Sequence, residues 1–152
     1  MCLLIHIGIS YALTEVPWNS KAPAFHVERV NDDSIVKTLN SPFVYYIGAR
    51  EKCGCGFYYQ YYFDDAELED NDDKLKRIAA DEDFNKLKSY LGNITDNTLQ
   101  LMVAYGDFGD KMIFQRQFIN LSEFEMKSFR DVRNGSDPII YTIQIPSLKL
   151  AR

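Results

Sequence analysis

Pro42-Phe43-Val44-Tyr45-Tyr46-Ile47-Gly48-Ala49-Arg50-Glu51-Lys52-Cys53-Gly54-Cys55-Gly56-Phe57-Tyr58-Tyr59-Gln60-Tyr61-Tyr62-Phe63 is the stretch whose reading decides the fold. Its first part, Phe43 to Ile47, is β-branched and aromatic between a proline and a glycine, as a buried strand is. From Phe57 to Phe63, alternation places Phe57, Tyr59, Tyr61 and Phe63 on one face and Tyr58, Gln60 and Tyr62 on the other. Two antiparallel strands are predicted. They hold six of the ten tyrosines, and a phenol buries its ring only when its hydroxyl finds a partner or the sheet edge. One face of this ribbon is therefore expected to be core and the other a semi-exposed aromatic surface.

The connection contains Gly48, Gly54 and Gly56, which are first of all turn residues able to reach positive φ. Such a loop can also aim N–H groups at an anion, with Arg50 and Lys52 adding positive charge. Cys53 and Cys55 point the same way if the chain is extended there. Three chemistries compete with inert packing. A disulfide across one residue closes a small, strained and easily reduced ring. A metal site needs further ligands, for which Cys2, His6 and His26 are the soft candidates, and no second zinc knuckle exists. A nucleophilic thiol needs a base such as His6 or His26 and a lowered pKa, for which Arg50 and Lys52 are the candidate neighbours.

A chain of 152 residues fits one domain, spanning 1–152, that buries a core without disulfide support. Hydrophobic content of 46% and aromatic content of 14% exclude a disordered chain. Three cysteines make no disulfide framework and suit a reducing, cytoplasmic setting. The apolar start from Cys2 to Ile9 lacks a basic leader and a cleavage site and is too short to span a bilayer, so it reads as a strand rather than a signal or a membrane anchor. On that strand His6 lies about 13 Å from Cys2 and reads as a satisfied strand histidine. The three Asn-x-Ser/Thr sequons, at Asn93, Asn120 and Asn134, have no secretion signal beside them and read as chance.

Further on, Tyr11 to Pro23 reads as an ordered loop carrying Trp18, and Ala24 to Val30 as a short strand with Phe25 and Val27 inward and His26 solvated. Asn31 to Ser34 offers helix caps for a short helix on Ile35, Val36 and Leu39. Asp64 to Asp73 holds seven acidic residues and no basic one, but no register supplies the glycine of a calcium loop, so it reads as a solvated acidic segment. Lys74 to Leu91 predicts an amphipathic helix with a candidate break at Asp81-Glu82-Asp83 and Gly92 as its cap. Thr98 to Tyr105 and Met112 to Phe118 read as hairpin strands joined through Gly106 to Asp110, where the kinase letters Asp-Phe-Gly occur without any other kinase signature. Leu121 to Phe129 leans to a short helix, and Ile139 to Ile145 is the last strand.

The fold expected is α+β: a single domain with a mostly antiparallel sheet of about six or seven strands and two or three helices packed on one face. At Cys53-Gly54-Cys55-Gly56-Phe57, with the Met1-Cys2 start, Pro17-Trp18, Pro23-Ala24-Phe25 and Pro42-Phe43-Val44-Tyr45, the chain resembles a group of small uncharacterised bacterial proteins sharing a Gly-Cys-Gly-Cys-Gly-Phe-type segment. The likeness covers mainly the first 63 residues. This chain departs from it in having Lys52 where the pattern places the first glycine. The resemblance implies a bacterial, cytosolic, self-standing domain and carries no activity.

Net charge of −5 disfavours nucleic acid as a partner. No Walker or dinucleotide signature is present, so no cofactor is expected and the enzyme reading is disfavoured. The leading expectation is a non-enzymatic protein-binding domain with Tyr58, Tyr62 and Trp18 as interaction surface, in the manner of an immunity protein by analogy of size and charge. The alternative is a thiol-dependent redox or metal-sensing protein centred on Cys53, Cys55, Arg50 and Lys52.

Overall fold

The computed structural model describes residues 2–19, 21, 25–57, 71–106, 113–129 and 137–146. Its elements run β1 (Leu3–Ile9), β2 (His26–Arg29), α1 (Asp33–Leu39), β3 (Phe43–Gly48), a 3-10 turn (Gly54–Phe57), α2 (Asn71–Gly92), β4 (Thr98–Tyr105), β5 (Gln115–Asn120), a second 3-10 turn (Leu121–Glu123) and β6 (Ile139–Gln144). Six strands form one sheet in the order β2-β3-β1-β4-β6-β5. Every pairing is antiparallel except β5 on β6, which is parallel. The α+β class and the mostly antiparallel sheet are those the sequence predicts. Among the described residues no helix is long and apolar enough to cross a membrane.

Strict alternation along β1 sends Leu3, Ile5, Ile7 and Ile9 to one face, where all four are buried. They meet Tyr45, Ile47, Leu101, Val103 and Tyr141 from neighbouring strands, and Phe84, Leu87 and Leu91 of α2 close over them. Phe84, Phe124 and Phe129 form a ring cluster with centroids 5.4 to 5.8 Å apart, within the range of favourable aromatic pairing. The opposite face carries a smaller cluster in which Val44, Met102 and Ile140 lie under Ile35 and Leu39 of α1. The helices thus divide between the two faces, where the sequence pattern suggested one. Asp32 caps α1 as predicted, accepting the Ser34 and Ile35 N–H groups, and Asn40 ends it in the left-handed conformation.

The predicted ribbon of β3 with Phe57–Phe63 does not form. Both edges of β3 are taken, by β1 and β2, and Phe57 closes a 3-10 turn; residues 58–63 lie outside the described residues. The predicted hairpin of β4 with the following strand is also replaced. β4 sits between β1 and β6, and β5 crosses to the far side of β6, covering Gln115–Asn120 instead of Met112–Phe118. Only two of the six β5 residues are apolar, which suits an edge and not a centre. The helix over 74–91 starts earlier, at Asn71, and runs unbroken through Asp83. His26, expected in solvent, is buried against Gly48 and Tyr46. Leu121 to Phe129 opens on the second 3-10 turn, stapled by Glu123 accepting the Asn120 N–H at 2.7 Å, and becomes helical only over 127–129.

Candidate functional site

Where β3 ends at Gly48, the chain folds back in a tight loop: Lys52 N–H donates to the Ala49 carbonyl and Ala49 N–H to the Cys53 carbonyl. The left-handed residue of this loop is Lys52, at φ 64°, and not a glycine. Gly54 and Gly56 serve close approach instead. A Cβ on Gly54 would stand 2.8 Å from the Leu3 carbonyl oxygen and 2.8 Å from Ile5 Cδ1, and one on Gly56 would stand 2.7 Å from Ala49 Cβ.

β3 pairs with β1 only from His6 onward, so the β1 edge at Leu3 needs another acceptor. Cys55 Sγ supplies it, accepting the Leu3 N–H at 3.2 Å. Cys53 is half-buried and interacts with the Cys55 thiol; that contact and burial push the Cys53 thiol up, away from the activated range. Cys2, immediately before Leu3, is exposed. Burial, reinforced by the sulfurs of Cys53, Cys2 and Cys55, pushes the Tyr46 phenol up as well, while its hydroxyl donates to the Lys52 carbonyl at 3.0 Å. All three thiols of the chain therefore converge on the corner beyond β3. The sequence reading paired Cys53 with Cys55 and named Cys2 only as one of three candidate further ligands, because the approach of β1 to the loop is visible only in three dimensions.

The cations expected to activate the thiols are engaged elsewhere. Arg50 reaches α2, donating from Nε to Asp83 Oδ2 at 2.8 Å and from Nη2 to Asp83 Oδ1 at 3.0 Å, with further bonds to the Ala79 carbonyl and Glu82. Asp83 is fully buried, and its hydrogen bonds raise the Arg50 pKa. The sequence signal for this pair was an acid on the apolar stripe of α2, three residues after Ala80 and four before Leu87. Lys52 Nζ lies 4.1 Å over the Trp18 ring, and Trp18 Nε1 donates to the Arg50 carbonyl. Trp18 thus clamps the loop.

His6 and His26 flank the Tyr46 ring at 5.4 and 5.6 Å between centroids. The Nδ1 atom of each is buried with no hydrogen-bond partner, so His6 is not the satisfied histidine expected. Burial lowers the His6 pKa from 6.5 to about 4 and moves His26 in the same direction. Among the described residues no group of three His, Cys, Asp or Glu side chains is placed to hold a metal ion. A cleft of about 370 Å³ separates the loop from the start of α2, lined by Arg50, Cys55, Gly56, Leu75 and Ala79.

The two sheet edges differ. The outer side of β2 is covered by Val16, which exchanges both backbone hydrogen bonds with Val27, and by Glu15, which accepts the Arg29 N–H. β5 is the last strand at the other end, with Phe118 66% exposed and the preceding Ile113 74% exposed. Gln115 N–H points inward to the Pro138 carbonyl, so alternation turns the Arg116 and Phe118 N–H groups outward. Tyr58 and Tyr62 lie outside the described residues.

With fold and loop in view, the class is an α+β single-sheet domain with a thiol-bearing corner and, among the described residues, one unpaired sheet edge. Comparison with protein-family models, with curated proteins and with solved structures gives no match.

Proposed function

We propose that the chain is a non-enzymatic protein-binding domain that takes an extended segment of a partner protein against β5. The observation that carries this reading is the contrast between the edges: one shielded by Val16 and Glu15, the other without a paired strand among the described residues, free of proline and with Arg116 as its one charge, and bearing an exposed Phe118. An added strand gains backbone hydrogen bonds at such an edge, and an apolar side chain of the partner gains Phe118 as a platform. Net charge of −5 favours a partner of basic character. Tyr58 and Tyr62, the interaction residues expected from the sequence, belong to the same binding proposal. Three cysteines free of disulfides fit a cytoplasmic setting, and the bacterial origin implied by the resemblance belongs to the same proposal.

Phe118→Pro tests the reading, because it removes an outward N–H and the ring without touching the β6 ladder. Capture of partners from native lysate should lose a specific protein with this variant while the circular dichroism spectrum stays that of the wild type. Tyr58→Ser/Tyr62→Ser should weaken the same capture. Identical capture by wild type and Phe118→Pro would overturn the edge as the binding site.

A further inference from the structure

The corner beyond β3 carries a second property, independent of the β5 reading. The geometry points to an intramolecular redox site in which Cys2 and Cys55 join as a disulfide when the protein meets a hydroperoxide, with Cys53 as the adjacent third thiol. Cys55 Sγ lies 3.2 Å from Leu3 N, and only the Cys2 carbonyl carbon separates that nitrogen from Cys2 Cα. With bonds of about 1.5 and 1.3 Å along this path, the Cys55 sulfur is at most about 6 Å from Cys2 Cα. The Cys2 sulfur swings at about 2.8 Å from its own Cα, so rotation of that exposed side chain brings the two sulfurs to within about 3 Å, and a small adjustment closes the bond of about 2.05 Å.

Exposure sets the order of events. Cys2 is the exposed thiol and Cys55 is half-buried, packed on the core with a backbone N–H donated to its sulfur. The Cys2 sulfur attacks the terminal oxygen of the hydroperoxide; an S–O bond forms, the O–O bond breaks, and the leaving oxygen departs as alcohol or water with the thiol proton. Cys55 Sγ then attacks the Cys2 sulfenic sulfur, forming the S–S bond and expelling hydroxide, which leaves as water with the Cys55 proton. Two thiols are oxidised and one hydroperoxide is reduced. The Cys53–Cys55 alternative closes the strained ring of a one-residue spacing, whereas Cys2 and Cys55 are 53 positions apart in the chain and close no such ring.

Purified protein is treated with one equivalent of hydrogen peroxide, alkylated, digested without reduction and mapped by mass spectrometry. The expected product is an intramolecular link between the peptide holding Cys2 and that holding Cys55, with loss of two hydrogens. The link should persist in Cys53→Ser and vanish in Cys55→Ser, whose hydroxyl still accepts the Leu3 N–H and keeps the fold. A Cys53–Cys55 link with Cys2 alkylated would overturn the assignment. So would sulfinic acid at Cys2 without a link, a link only between two chains, or a Cys2 link of undiminished yield in Cys55→Ser.

Discussion

Arg50 and Asp83 form a two-point ion pair between the loop after β3 and the middle of α2, with Nε 2.8 Å from Oδ2 and Nη2 3.0 Å from Oδ1. The backbone N–H of Arg50 also donates to Oδ2, so one carboxylate fixes both ends of the same residue. The partners are unequal in setting. The Asp83 side chain is 0% exposed and that of Arg50 is 29% exposed.

That asymmetry ranks three variants. Arg50→Met leaves a buried carboxylate without its cation and should cost about 3–5 kcal/mol. Asp83→Leu should cost less, because Arg50 can turn toward water. Arg50→Met/Asp83→Leu should be more stable than Arg50→Met alone. Urea unfolding midpoints at pH 7 check the ranking, and an Asp83→Leu protein weaker than Arg50→Met would contradict it.

Acid should destabilise the fold through His6. In the folded chain it stays neutral down to about 4, whereas the unfolded chain takes up a proton below 6.5. Stability is therefore unaffected by this group above 6.5, falls as pH drops from 6.5 to about 4, and levels off below that, by a total on the order of 3 kcal/mol. His26, shifted in the same direction by burial, adds to the slope. His6→Leu removes a buried atom that has no partner and should flatten the acid limb measured by unfolding at stepped pH.

Gly54→Ala should destabilise by about 1–3 kcal/mol, because the new methyl meets a backbone carbonyl oxygen that has nowhere to go. Thermal unfolding reads the loss. A neutral result would mean that the loop lifts off β1, and the Cys55 contact with Leu3 would then be absent from amide exchange protection.

Lys52 holds a left-handed backbone at the cost of its Cβ, offset in part by its ammonium over Trp18. Lys52→Gly and Lys52→Ala both remove the cation–π contact, so their difference isolates the backbone. Lys52→Gly should be the more stable of the two by about 1 kcal/mol in denaturant titration.

The local patterns that were legible in the sequence are those a single strand or helix writes by itself. Leu3-Ile5-Ile7-Ile9 announces a buried face, and Asp32 announces the start of α1, whatever their neighbours are. Pairing is not written locally. Phe57 looks like the start of an alternating strand, yet β3 has no free edge to offer it, because β1 and β2 occupy both sides. The placement of β5 beside β6 and of Cys2 beside Cys55 likewise follows from contacts between distant segments. His26 was misjudged because alternation fixes which face it occupies but not that Tyr46 and Gly48 leave a slot there. Asp83, read with Asp81 and Glu82 as a candidate helix break, carried a signal of its own: an acid on an apolar helical stripe asks for a cation, and the structure supplies Arg50.

The place of β1 in the sheet constrains how the molecule is made. It precedes the other five strands in the chain but ends between β3 and β4, and its pairing with β4 extends to Leu3 opposite Tyr105. Until that much chain has been synthesised, Leu3, Ile5 and Ile7 present an uncovered flank, so a nascent or prematurely ended product is a sticky one.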